Sequence, residues 1–185
     1  MSRGYYLETV IFISMIRLAS LLREISFGGI DPYATQFTWQ LNGTSIESKT
    51  SCDGVPVMFV MEPQWTGDER EEYSFAIATK SVGNGYTVTH SNSMAQGQLS
   101  YIRLLRTALE AVLDFTKQYA PTAVDVTGFD TKGDKDLQKT RIYRKILQDN
   151  KSMITAAGYI VFDRNGKLWL VRSHDYDTTG IRDKQ

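Results

Sequence analysis

The sequence predicts an α/β protein of the mixed (α+β) kind: a single, mostly antiparallel sheet with one β–α–β crossover. Three observations predict it. Short apolar or alternating runs bounded by Gly, Asn, Asp and Pro recur at Phe37–Leu41, Val55–Met61, Tyr73–Thr79 and Tyr86–His90, which is strand-and-turn patterning. From Leu99 the period lengthens to that of a helix, with Ile102, Leu105, Leu109, Val112, Leu113 and Tyr119 on one stripe. A strand-like run, a second helical stripe and two apolar runs joined by Asn165-Gly166 then close the chain.

Taken in order, residues 1–30 predict an N-terminal amphipathic helix, with Ile16, Leu18, Leu21, Leu22 and Ile25 near helical spacing and Gly28-Gly29 as its stop. The apolar run Val10–Ile16 is too short for a membrane span and is flanked by Glu8 and Arg17, so no membrane segment is expected. Met15 opens the better-patterned half, which marks residues 1–14 as an upstream extension and Met15 as an alternative start. Residues 31–50 predict a hairpin around Asn42-Gly43; Asn42-Gly43-Thr44 also matches a glycosylation acceptor, but the turn explains it without a secretory signal. Residues 55–172 form the main α/β unit. Val55–Met61 is apolar throughout, as a strand covered on both faces would be. The connector Glu62–Glu72 is acidic and carries Trp65. Tyr73–Thr79 and Tyr86–His90 follow as antiparallel neighbours across Gly83-Asn84-Gly85. The long helix from Leu99 stops at Pro121, Thr122–Phe129 is a strand, and Leu137–Gln148 a shorter helix. Gly158–Asp163 and Lys167–Arg172 make the closing hairpin, and residues 173–185 a polar tail.

Composition excludes several function classes. The chain has 185 residues, enough for one domain with a real core, and 42% of them are hydrophobic. Basic and acidic residues balance at 21 each, so attraction to nucleic acid or an anionic membrane must come from a local patch. The single cysteine, Cys52, leaves no intrachain disulfide framework and no cysteine cluster for zinc, which points to a reducing, cytoplasmic setting. His90 and His174 are the only histidines and form no metal motif. P-loop, nucleophile-elbow and kinase signatures are absent from the sequence.

Four groups of residues carry candidate chemistry. Tyr143, between Arg141 and Arg144, is a general-acid candidate or an ordinary core aromatic beside Ile142, Ile146 and Leu147. His90, at a strand end, is a candidate base towards an amine. Lys139, Arg141, Arg144 and Lys145 form a basic patch able to hold phosphate or nucleic acid, or simply to solvate a helix. The acidic connector with Trp65 is a candidate surface for a basic partner.

From Val55 to Arg172 the element order resembles the GNAT (Gcn5-related N-acetyltransferase) fold. The ending "RIYRKILQDNKSMITAAGYIVF" is similar to that family's, with Tyr143 in the place of its tyrosine and Gly158-Tyr159 in that of its Gly-aromatic strand start. The combination also resembles proteins of tailed bacteriophages, which implies a host protein as partner. The resemblance implies acetyl-CoA as cofactor if the chain is an enzyme, Tyr143 as the acid that protonates the leaving thiolate, and Gln96, Gly97 and Gln98 as donors to the pyrophosphate. The cofactor arm would enter where Tyr86–His90 and Thr122–Phe129 diverge. The stretch "THSNSMAQGQLS" departs from the family's glycine-rich turn: it has one glycine and no cation to grip a diphosphate. The expected function is therefore non-catalytic binding or host interaction with no cofactor; an acetyltransferase with a divergent turn and a nucleic-acid accessory protein are the alternatives.

Overall fold

Two-residue turns set the first half of the sheet. Asp53 and Gly54 both adopt positive φ (47° and 81°), the pairing a tight I′-type turn demands. They join β2 (Ser45–Cys52) to β3 (Val55–Gln64), with Cys52 opposite Val55. One connection earlier, β1 (Trp39–Asn42) turns into β2 through Gly43-Thr44, where only Gly43 has positive φ (63°). The glycine thus occupies the first turn position rather than the second. The computed structural model describes residues 26–64, 71–80, 86–88, 100–127, 136–164 and 167–174, without the side chains at 27, 79, 80, 86–88, 136–140 and 164. The N-terminal helix, Trp65, His90, Gln96–Gln98 and the tail beyond His174 lie outside the described residues.

β4 (Glu72–Lys80) returns antiparallel along β3 over the registers Val57↔Thr79 to Gln64↔Glu72. The closing hairpin is β7 (Tyr159–Arg164) with β8 (Lys167–Arg172). Between these halves lies β6 (Ala123–Asp125), parallel to β4 and antiparallel to β8. The strand order is β1-β2-β3-β4-β6-β8-β7, and the short β5 (Tyr86–Val88) pairs with the end of β4. The expected mixed, mostly antiparallel sheet with one crossover is what forms. β5 contributes three registers, at Ala78–Lys80, on the same edge of β4 that β6 lines at Glu72–Ser74.

The helices pack on one face. α1 (Tyr101–Tyr119) is the crossover between β4 and β6. Ser100 caps it by accepting from Arg103 N, and Ala120 ends it in the left-handed region at φ 47° just before Pro121. α2 (Asp136–Asp149) and a six-residue α3 (Lys151–Ala156) follow, separated by the buried Asn150. Asn150 donates from Nδ2 to Ile146 O at 2.8 Å, ending one helix, while its backbone oxygen accepts Met153 N and Ile154 N to start the next.

Alternation builds the core. Val57, Phe59 and Met61 of β3, Phe75 and Ile77 of β4, Val124 of β6 and Leu168 and Leu170 of β8 all join α1's Leu104, Leu109, Val112 and Phe115. Each fully buried side chain of this size contributes about 1.5–3 kcal/mol. Phe115 is the hub: its ring meets Trp39 and Tyr73 edge-on at 5.1 Å and stacks on Tyr119 at 4.7 Å. A smaller cluster, Ala123 and Val171 with Ile160, Phe162 and Trp169 beside them, forms separately. No helix among the described residues is long and apolar enough to cross a membrane.

Candidate functional site

The hydrogen-bond ladder along β4 is broken on one side. β3 covers one edge from Glu72 to Thr79. The other edge pairs with β6 at Glu72, Tyr73 and Ser74 and with β5 at Ala78, Thr79 and Lys80. Phe75, Ala76 and Ile77 therefore have no ladder partner on that edge among the described residues, and all three are buried. Ligands of sheets with parallel neighbours gather where strands part at their carboxyl ends. Among the described residues the divergence lies between β4 and β6; residues 89–90 and 128–129, which the expected parting of the Tyr86 and Thr122 strands involves, lie outside them.

Asp125 explains why β6 leaves β4 at this point. Its Oδ1 accepts Thr127 N at 2.9 Å and Thr127 Oγ1 at 2.5 Å, a local turn that pulls the chain towards β8. There Val126 N donates to Leu168 O, and Leu168 N to Thr127 Oγ1, both at 2.8 Å. Lys167 Nζ lies 3.6 Å from Asp125 Oδ2 and 5.9 Å from the Trp169 ring centre. Opposite Asp125 in the parallel register is buried Ser74, whose hydroxyl accepts from Gln64 Nε2 at 2.8 Å. Ser74, Asp125, Thr127 and Lys167 were not singled out from sequence. The available signal was an acid followed two residues later by Thr inside the apolar run "TAVDVTGF".

Tyr143 sits on α2, partly buried against the main core. Burial, then the neighbouring Tyr101 with its side-chain hydrogen bond, holds the phenol well above the ordinary tyrosine range, so it stays protonated at neutral pH. Tyr101 is the first residue of α1, so this contact ties α1 to α2.

The basic patch is partly neutralised within the fold. Arg144 donates from Nε and Nη2 to Asp163 Oδ2 of β7, at 2.9 and 2.5 Å. Lys145 Nζ pairs with Asp149 at 2.6 Å, one helical turn on. Arg141 is exposed; Lys139 lies on α2, with its side chain outside the described residues. Arg144 bridges to β7 while Tyr143 faces Tyr101, so adjacent residues serve different contacts.

Cys52 is fully buried at the end of β2, where desolvation, then Asp53, pushes its thiol up to about 11, with Arg103 opposing. Tyr73 is also raised, by burial first and then by Glu71 and Tyr119. Among the described residues no three His, Cys, Asp or Glu side chains gather as metal ligands.

No family model matches this sequence. Comparison with curated proteins and with solved structures likewise returns no match.

Proposed function

We propose that this chain is a GNAT-like domain, of the kind tailed phages encode, that works in the host cytoplasm by binding a protein partner rather than by turning over a substrate. One observation carries the reading. The described side chains that would act on a substrate are spent on the fold: Tyr143 on Tyr101, Arg144 on Asp163 and Lys145 on Asp149. A general acid must offer its proton to the leaving group, and a phosphate clamp must leave its guanidinium edge open. Engaged as they are, these groups stiffen the α2 surface.

The acetyltransferase reading is the second, favoured by the ladder break. The edge of β4 at Phe75–Ile77 that has no ladder partner among the described residues is where an extended, amide-bearing arm such as that of acetyl-CoA would pair. In that reading Asp125 and Ser74 border the arm, and Tyr143 would have to exchange Tyr101 for the leaving sulfur.

Calorimetric titration with acetyl-CoA and with CoA, beside a thiol-release assay with amine acceptors, separates the two. The binding reading expects neither heat at about millimolar ligand nor thiol release. Thiol release that disappears in Tyr143→Phe would overturn it in favour of acyl transfer. A gel shift with short DNA and RNA that weakened steeply with salt would move the reading to nucleic acid instead.

A further inference from the structure

We infer that the free edge of β1 is a self-association surface, through which two copies of this chain pair antiparallel and continue one sheet across a two-fold axis. This stands apart from the proposed function and depends on neither reading of it.

Among the described residues β1 ends the strand order, so its outer row of backbone N–H and C=O groups faces away from the sheet. Proteins that keep such edges monomeric protect them with charge, proline or a bulge. The opposite edge is protected in that way: β7 carries Asp163, locked to Arg144. β1 has no charge, proline or bulge, and its four-residue length is what limits the exposed ladder. It lies within a run of fifteen residues, Pro32–Ile46, that contains no charged side chain, in a chain that is 23% charged. Leu41, in the middle of this edge, is 75% exposed.

Apolar surface continues beside it. α1 runs alongside this segment, with Tyr33 N bonded to Thr107 Oγ1 and Trp39 Nε1 bonded to Asp114 Oδ2. Leu41 lies two residues past Trp39 on the same side of the strand, towards the helix end where Tyr119 is 38% exposed. A recess of about 280 Å³ beside the strand is lined by Thr38, Gln40, Leu41, Asn42, Glu47 and Lys49, and its two charges are paired with each other at 3.3 Å.

The absence of charge selects the occupant. Around a two-fold axis each side chain meets its own segment, so a charged residue in β1 would face its like at short range. A strand that takes a peptide of another protein is free to carry charge opposite to that peptide, a freedom that self-pairing removes. "TWQLNGT" carries none, which is the composition self-pairing needs.

Sedimentation equilibrium tests this with the full chain and two variants, Leu41→Lys and Leu41→Glu. Leu41 is largely exposed, so neither change removes core packing, and circular dichroism confirms that each variant folds. The chain is expected to form dimers, each variant alone to weaken dimerisation by at least about tenfold, and an equimolar mixture of the two to recover it. Recovery on mixing requires position 41 to face its own copy. A chain that stays monomeric at every concentration, dimers that survive both variants, or loss without recovery on mixing would each overturn the inference. Hydrogen exchange on the unaltered chain gives an answer that needs no variant: protection at Trp39–Asn42 must rise with protein concentration, and flat protection refutes the pairing.

Discussion

Replacing Arg106 by methionine should stabilise this protein. Arg106 lies on α1 and is only 6% exposed, yet its Nε and Nη1 find no hydrogen-bond partner among the described residues. Nη2 is engaged with Glu110 at 3.1 Å and the Met153 sulfur at 3.4 Å. Each buried N–H left without an acceptor costs about 1–3 kcal/mol. The pair that methionine would remove joins a buried guanidinium to a carboxylate with 35% side-chain exposure, so Glu110 can return to water. A partly solvated pair of that kind is worth roughly 1 kcal/mol or less. Methionine keeps most of the apolar stem and the contact with Met153. The balance favours Arg106→Met by about 2 kcal/mol, within the range for exchanging buried ion pairs for apolar groups. That corresponds to a rise in Tm of about 4–8 °C for a domain of this size. Urea denaturation with the m-value checked for constancy is the assay. Glu110→Gln should destabilise the parent, by stranding the guanidinium, and be nearly neutral beside Arg106→Met. A loss of more than about 1 kcal/mol in Arg106→Met at unchanged m would refute the reasoning, because it would mean the guanidinium is well satisfied.

Cys52 makes stability depend on alkaline pH. Its folded pKa of about 11 lies above the 9.0 of an unburied thiol, so its contribution is complete below pH 9 and is lost as pH rises through 11. The loss should reach about 3 kcal/mol, and Cys52→Ala should flatten that part of the pH profile in denaturation experiments. At pH 8 the same thiol should resist iodoacetamide until urea unfolds the chain. Ala120→Gly relieves a left-handed residue at φ 47° and should raise stability by about 1 kcal/mol, read as a higher urea midpoint. Tyr143→Phe removes the hydroxyl that meets Tyr101 and should cost about 1 kcal/mol, with unchanged circular dichroism.

Local patterns in the sequence predicted most of the elements, and the contacts between distant segments account for what it missed. The stripe from Leu99 predicted α1 to within two residues of its start, and Pro121 marks its end because a helix cannot run through that ring. Asn165-Gly166 predicted the β7–β8 hairpin, and the apolar run at Val55 predicted β3. β3 nevertheless continues to Gln64 through Glu62 and Pro63, because pairing with Glu72–Ser74 holds those polar residues in register. α3 has six residues and no apolar stripe of its own; it exists because Asn150 restarts the helix and Ile154 is fully buried. The parallel choice of β6 for β4 is a tertiary decision that no short window encodes. At the candidate site, the sequence pointed to Tyr143 and the basic residues of α2 by type and spacing. Their partners Tyr101 and Asp163 come from other elements and became visible only in three dimensions. Asp125 went unnoticed because its role is local: it bends the chain at Thr127 instead of belonging to a cluster of acids.

The parallel junction of β4 with β6 spans three registers, whereas β3 and β4 share eight and β7 and β8 six. The sheet is thus two well-knit panels hinged at a narrow seam, with α1 as the strap that holds them. The first panel and the β7–β8 hairpin are stitched from neighbours in sequence and form early; β6 must then reach both Glu72 of β4 across the whole strap and Val171 of β8, each over three registers, which makes its docking the slow event of folding and the first place to come undone.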